Sequence, residues 1–557
     1  MVTGGLLWAS LPPIGWWPAG VIGVVLLGCI PAATVRARAL LGGVAGLVLF
    51  GAALRWLWPF TGVGVAVLVA LQAGFLATAS AVSPAGRGRL VALPGALVLV
   101  EALRHRWPLS GLPMAGLELG QVEGPLANVA PYHGPLGVVL AVGGIAAVAT
   151  RILRDGGVGR VRSAVLLIVL VGLIAVVPAA PGTTSLDRVD AIVVQGGGPR
   201  GVVSVGSDPA VPYRRHLAAT RELDAGGADL VVWPEDVVDV DGRFTGSTQA
   251  VTLSRIARDL STVLVVGVVE DADARAGSVR RFRNAAIAIG PDGSIVDRYD
   301  KQIRVPFGEY VPWRSVVDRF ADLSLIPREA VAGVGPPVLD TPAGRLGTVI
   351  SFEGLFARRV RAAARAGGEL LVVPTNSSSY ATVDAPAQQV AAARLRALEA
   401  GRDLVLASPT GYSAVVTADG TVVARSPLGD MAVLRELVTR RGGDTPYVRF
   451  GDLPVVLVAV GLVGIGWRGS TRPAGAAPCG GIDRAARRRD CHGGVEKRSA
   501  VSEASAQQPE GGCDQRDGDR SEEEPRWPRG GARGSRALIV ELLSVCRCRR
   551  IGRDGCR

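Results

Sequence analysis

Almost no acidic residue interrupts the first 180 positions of this chain, and six apolar stretches there approach the length that a helix needs to cross a bilayer. Crossing ~30 Å of hydrocarbon takes about 20 helical residues. Runs of that kind lie at 15–33, 39–57, 61–83, 88–104, 133–151 and 163–180, and a shorter one at 453–467 ends on Trp467 and Arg468. A soluble protein would have to cover all of these runs with its own polar surface. They read instead as membrane helices, and their glycine and alanine content suits close helix packing in lipid. The mean hydropathy of +0.32 and the 48% apolar share agree with a membrane part.

Arginines orient the bundle, because cytoplasmic loops retain positive charge. Arg36 and Arg38, then Arg87 and Arg89, then Arg151, Arg154, Arg160 and Arg162 occupy alternate loops, which sets those three loops inside. Residues 181–452 then lie outside, and 453–467 returns the chain to Arg468, Arg472 and Arg487–Arg489. The N-terminus falls outside, and Met1–Pro13 begins as half of a hydrophobic hairpin, so a further helix upstream of Met1 is expected. No basic segment precedes the first apolar run and no small-residue cleavage site is evident, which speaks against a signal-peptide reading.

Four regions follow: a helix bundle at 1–182, a folded outer domain at 190–440, a returning helix at 453–467 and a polar tail at 468–557. The tail holds 19 of the basic residues against 13 acidic ones and carries much of the net charge of +12. Its composition reads as disordered, an altered reading frame is the alternative, and no function is assigned to it. With the excess charge in tail and loops, without interleaved aromatics, nucleic acid is excluded as a partner. The cysteines are Cys29 and six in the tail, so the outer domain has neither a disulfide framework nor a thiol nucleophile. Cys546-x-Cys548 lacks zinc spacing, and no metal site or cofactor is read from the sequence. Lysine occurs only as Lys301 and Lys497. An ammonium kept at 301 in a chain that otherwise uses arginine points to a role that needs a compact charge.

From Asp190 the pattern changes to short apolar runs bounded by turns: 191–195, 230–233, 263–269, 285–289, 346–350, 370–373, 404–408 and 414–417. Helical stretches at 212–225 and 386–400 lie between them, and alternation of this kind indicates a layered α/β domain. Asp292-Gly293 and Asp419-Gly420 mark hairpin turns.

Four segments then occur in order: Trp233-Pro234-Glu235, Arg298-Tyr299-Asp300-Lys301, Val305 to Pro312 (VPFGEYVP) and Ile350-Ser351-Phe352-Glu353. Together they resemble the successive signatures of the apolipoprotein N-acyltransferases, membrane members of the nitrilase superfamily. In the bundle, Leu11 to Pro18 resembles the family's first helical hairpin. Glu101-Ala102-Leu103-Arg104, Gly111-Leu112-Pro113 and Ala127 to Pro131 resemble its later external loop. The resemblance spans roughly 3–467 and implies a multi-pass α-helical membrane bundle carrying an α/β nitrilase-like αββα sandwich. It also implies a catalytic triad: Glu235 as general base, Lys301 as oxyanion stabiliser and Ser351 at the nucleophile position. Glu309 and Glu353 match two supporting acids that line the pocket and hold Lys301. Trp233, Phe307, Tyr310, Phe352, Asn376 and Tyr380 are the substrate-binding candidates.

Acyl transfer through a covalent intermediate needs a nucleophile, a base and a donor for the oxyanion, and these three positions supply them. Taken alone, Glu235 reads more readily as a turn carboxylate and Glu309 as part of a solvated face. Ser351 departs from the family's cysteine: a serine hydroxyl does not ionise where a thiol does, so the same Glu/Lys pair must work harder on oxygen. Asn376-Ser377-Ser378-Ser379-Tyr380 departs from an aromatic Trp-Phe pair. His216 is the only histidine of the outer domain and no Gly-x-Ser-x-Gly surrounds Ser351, against a Ser-His-Asp hydrolase. Gly196-Gly197-Gly198 precedes Pro199 with no phosphate-binding helix, and reads as a loop.

The resemblance implies an enzyme of the cell membrane that moves an acyl chain from a phospholipid to the α-amino group of a diacylglyceryl-lipoprotein. The nitrilase-like domain lies on the extracytoplasmic side. A catalytically impaired paralogue that binds lipoprotein or phospholipid is the alternative, and a nitrilase-like amidase a third reading. Oligomeric state is not legible.

Overall fold

A computed structural model of the chain describes residues 1–175, 178, 180–201, 208–272, 280–319, 323, 328–380 and 382–471. The expected disordered tail lies outside the described residues from 472 onward, together with its cysteines.

Each apolar stretch carries a helix: Trp17–Gly28, Val35–Ala53, Val63–Val82, Gly88–Arg104, Ala130–Arg154 and Gly157–Ala175, with Leu453–Thr471 after the outer domain. Val2–Ser10 packs against Trp17–Gly28 as the first hairpin. Among the described residues, four helices are long and apolar enough to cross a membrane: Val35–Ala53, Val63–Val82, Pro125–Arg154 and Leu453–Ser470. Small residues bring their backbones together. A β-carbon on Gly46 would lie 2.7 Å from Ala73 Cα, and one on Gly95 would lie 2.4 Å from Ala459 O. The outward faces carry exposed Leu40, Leu47, Val67, Leu457 and Ile465, as lipid contact requires.

In the outer domain, one sheet runs β14-β1-β2-β4-β5-β6, from Thr183–Gln195 (β1), Leu230–Val232 (β2), Val263–Asp271 (β4), Arg280–Ile289 (β5), Ile295–Asp300 (β6) and Ala432–Gly443 (β14). Val238–Val240 (β3) pairs with β4, and Arg328–Ala330 (β7) with β5. The second sheet runs β13-β12-β11-β10-β9-β8, from Val338–Thr341 (β8), Gly344–Thr348 (β9), Leu370–Pro374 (β10), Leu404–Ala407 (β11), Ala414–Val416 (β12) and Val422–Arg425 (β13).

Alternation along the strands builds the layers. Ala191, Val193, Leu230, Val232, Val263 and Val265 meet Leu370, Val372, Val405 and Val415 between the sheets. The intervening Ile192, Val231, Leu264 and Val266 face helices Ala210–Arg221 and Thr248–Leu260. On the second sheet, Leu371, Leu404 and Leu406 face Ala357–Arg365 and Asp384–Ala400. The result is the expected αββα sandwich, and burial on both faces explains why its central strands read as continuous apolar runs. Both Asp-Gly pairs sit in hairpins, β5–β6 and β12–β13. β1 begins at Thr183, earlier than 190, because its polar first half pairs with the equally polar end of β14.

One helix joins the two parts. Ala391, Ala392, Leu395 and Leu398 on one face of Asp384–Ala400 belong to the core of the bundle, while Val390, Ala393 and Ala397 pack under the sheet. Polar ties reinforce the contact: Gln388 Oε1 accepts Ala115 N–H at 2.9 Å, and Arg55 meets Asp384 at 3.3 Å.

Candidate active site

β2 ends in Trp233-Pro234-Glu235, and the tryptophan there is a correction to the substrate-binding list. It is wholly buried beneath the sheet, donates its indole N–H to Thr220 Oγ1 at 2.9 Å and packs against Tyr213 and His216. Trp233 shares the outer, helix-covered face with Val231, and the strand ends before Pro234, so the turn rather than the pleat sets the Glu235 carboxylate at this end of the sheet. That end is crowded. A β-carbon on Gly267 of β4 would lie 2.3 Å from Pro234 O and 2.5 Å from Glu235 Cα, so a glycine there is what lets the Glu235 turn settle on the sheet.

β5 and β6 bring two more polar groups to the same place. Asn284 Nδ2 donates to Glu235 Oε1 at 2.8 Å and to Glu309 Oε1 at 3.2 Å. Lys301 follows β6, its backbone N–H held by Asn284 O. Its buried Nζ donates to Glu235 Oε1 and to Glu309 Oε1, each at 2.7 Å. Burial disfavours the ammonium, but the two carboxylates outweigh it and hold the Lys301 pKa above the ordinary lysine value. Glu309 reaches the cluster because its Oε2 accepts Val305 N–H at 2.7 Å and folds the VPFGEYVP loop back on itself.

Ser351 opens a short 3-10 turn, Ser351–Leu355, just beyond β9. Its φ of 53° is left-handed, a conformation that costs a non-glycine residue about 1–3 kcal/mol and collects at functional sites. Thr375, beyond the neighbouring β10, donates to Ser351 Oγ at 3.3 Å. Glu353 is fully buried and takes a different part from the one expected, because its carboxylate does not bond the ammonium. It accepts Gln302 N–H at 2.9 Å, Ile303 N–H at 3.0 Å, Ile350 N–H at 3.0 Å and the Tyr299 hydroxyl. One carboxylate thus stitches the chain after Lys301 to the chain around Ser351, joining the two sheets at this end.

The other expected positions divide. Tyr380 lies in the field of Glu235, Lys301 and Glu309. Burial, with Glu235 next, pushes its hydroxyl up to about 12. Its ring packs edge-on against Trp56 at 4.5 Å and Phe60 at 5.8 Å, residues of the turn between the Val35–Ala53 and Val63–Val82 helices. Phe352 packs on Phe356 and against the bundle core. Tyr310 lies under the Arg304 guanidinium at 4.3 Å, and Phe307 is exposed at the loop tip. Asn376 turns to its own loop, accepting Ser378 N–H at 3.0 Å.

Asn284, Gly267, Trp56 and Asp236 escaped the sequence reading. Asp236 follows the expected base, has a left-handed φ of 58°, and its buried Oδ1 has no hydrogen-bond partner. Burial, then the charge of Glu235, raises its pKa well above the usual carboxylate value. Only Asn284 left a signal, as a polar residue at the start of the apolar run Ala285–Ile289.

Comparison with known proteins bears on the family and the fold. Residues 193–440 match the carbon-nitrogen hydrolase family, and residues 3–148 match the apolipoprotein N-acyltransferase N-terminal domain. The apolipoprotein N-acyltransferase of Geobacter metallireducens is 31% identical over 501 residues, covering 81% of this chain and 91% of that protein. The chain belongs to the apolipoprotein N-acyltransferase family. The Mycolicibacterium smegmatis apolipoprotein N-acyltransferase is 29% identical over 506 residues, with 83% of each chain covered. The solved Saccharomyces cerevisiae Nit3, of the nitrilase superfamily, aligns with 46% of this chain and 91% of its own at 19% identity and a TM-score of 0.34. As a member of the apolipoprotein N-acyltransferase family, the chain is an enzyme and a multi-pass membrane protein.

Proposed function

We propose that this chain transfers an acyl chain from a membrane phospholipid to the free α-amino group of a diacylglyceryl-cysteine at the start of a lipoprotein. The carrying observation is the buried ammonium of Lys301, shared between Glu235 and Glu309 and tied through Glu353 to the strained turn of Ser351. In the first half-reaction Ser351 Oγ attacks the ester carbonyl while Glu235 takes the hydroxyl proton. Lys301 meets the negative charge that develops on the carbonyl oxygen. Collapse of the adduct expels the lysophospholipid, whose alkoxide takes that proton from Glu235, and leaves an O-acyl serine. In the second half-reaction the amine attacks this ester, an amide forms, and Ser351 recovers its proton.

The arginine-rich loops on one side of the bundle favour an outer location for the catalytic domain in the cytoplasmic membrane. Tyr380 supports lateral entry of the fatty chain, because its ring rests on the bundle turn while its hydroxyl lies in the field of the charged cluster. The purified full-length protein should take label from acyl-labelled phospholipid as a hydroxylamine-sensitive adduct on the peptide containing Ser351. A diacylated lipopeptide should then discharge that label as an amide. Phospholipid binding without any adduct would support the non-catalytic alternative, and ammonia release from small amides would support an amidase.

A further inference from the structure

Away from the acyl-transfer site, three side chains of the bundle converge on one point. Glu101 ends the Gly88–Arg104 helix, His105 follows one turn later, and Glu118 comes from the loop that runs back beneath Asp384–Ala400. Offering one atom each, they lie within 4.8 Å of one another. His105 Nε2 is 3.5 Å from Glu101 Oε2 and 3.3 Å from Glu118 Oε1.

These separations decide between two chemistries. An imidazolium bridging two carboxylates would draw them to about 2.7–2.9 Å. Here His105 Nε2 is buried with no hydrogen-bond partner, as is Glu118 Oε2, on a side chain only 2% exposed. A tetrahedral ion with bonds of about 2.0–2.1 Å holds its ligand atoms roughly 3.3 Å apart. The surroundings suit that role. Arg104 donates to Glu101 Oε2 at 2.6 and 2.9 Å and so fixes the first carboxylate, as outer-shell donors do around bound metals. The same guanidinium holds Leu112 O and Met114 O, which aims the loop carrying Glu118.

We propose that Glu101, His105 and Glu118 bind a divalent transition-metal ion of the zinc class. One imidazole with two carboxylates selects such an ion over magnesium or calcium, which take oxygen ligands. The ion fastens the 105–118 loop to the end of its helix. That loop is the one whose Ala115 N–H reaches Gln388 on the helix joining bundle to sandwich.

The test uses full-length protein purified in detergent through a tag without histidine. The six tail cysteines are a possible source of background zinc, so content is read as the difference between wild type and His105→Asn or Glu118→Gln after identical chelation and reloading with zinc chloride. Wild type should retain about one equivalent more than either variant, and zinc should raise its thermal midpoint but not theirs. Equal content and no zinc-dependent shift in wild type would overturn the proposal. Should both variants fail to fold, anomalous scattering at the zinc edge from wild-type crystals decides, with a peak among the three side chains in favour and its absence against.

Discussion

Removing the ammonium of Lys301 tests the proposed mechanism at its most constrained point. Lys301→Met deletes two 2.7 Å hydrogen bonds and the positive charge between Glu235 and Glu309, leaving the Asn284 amide as a donor common to both. Breaking a buried ion pair from one side costs about 3–5 kcal/mol, because an uncompensated charge remains. For a domain of this size that lowers the thermal midpoint by roughly 6–20 °C, at about 2–4 °C per kcal/mol. The two carboxylates then hold a proton between them, which occupies the base. Loss of one oxyanion donor alone lowers turnover by about 10²–10³-fold, so adduct formation on Ser351 should fall at least that far. The pH dependence has a definite sign. In wild type the Lys301 pKa is raised, so its stabilisation is complete below the ordinary lysine value and is lost only as pH rises beyond it. Adding Glu309→Gln removes the repulsion and should restore most of the stability but none of the acylation. Near-wild-type labelling by Lys301→Met would refute the role given to the ammonium. A double variant as unstable as the single one would refute the charge argument.

Gly267→Ala should leave the sandwich folded by circular dichroism yet reduce adduct formation at least tenfold, because the new methyl collides with Pro234 O and Glu235 Cα. Ser351→Cys should speed acylation, read as adduct formed per minute, since a thiol ionises near pH 8.5 where a hydroxyl does not; a folded but inert variant would argue that the pocket itself is not competent. His216 is buried and neutral, accepting Gly196 N–H at Nε2 and donating from Nδ1 to Pro212 O, and burial lowers its pKa from 6.5 to about 4. Its contribution is present above pH 6.5 and is lost as pH falls through that window toward 4, up to about 3 kcal/mol. Melting curves of His216→Gln should therefore lack the part of the wild-type acid sensitivity that falls in this range.

How much of this was legible in the sequence follows from what each pattern depends on. The membrane helices were readable because lipid demands long apolar runs whatever their partners, and the central strands because both faces are buried. β14 was missed because all its side chains but Val438 are exposed or half-exposed and its strand character comes from pairing with β1, far away in sequence. β6 was legible as the strand-like run after the Asp292-Gly293 turn, even though Ile295 and Val296 are exposed at the edge of the sheet. Lys301 and Glu309 were legible as motif positions. Asn284 and Gly267 were not, since the first is one polar residue in a strand and the second matters only because Pro234 lies across from it. Trp233 was misassigned because a signature tryptophan beside a candidate base looks like pocket wall, whereas it is buried with Val231 under the helices on the outer face of the sheet.

A serine can occupy position 351 without disturbing the rest of the site because other groups hold the turn. The contacts that define the turn, from Glu353 to Ile350, Gln302, Ile303 and Tyr299, bypass the side chain at 351. The left-handed backbone there is imposed by these neighbours and is indifferent to whether oxygen or sulfur follows the β-carbon. What the exchange alters is the chemistry of one atom, which Thr375 already approaches as a donor at 3.3 Å. A donor at that position favours the alkoxide over the neutral hydroxyl, since a hydrogen bond to the charged form stabilises it. Thr375→Val should therefore impair the serine enzyme more than the Ser351→Cys form. Equal losses in the two backgrounds would assign Thr375 to packing alone.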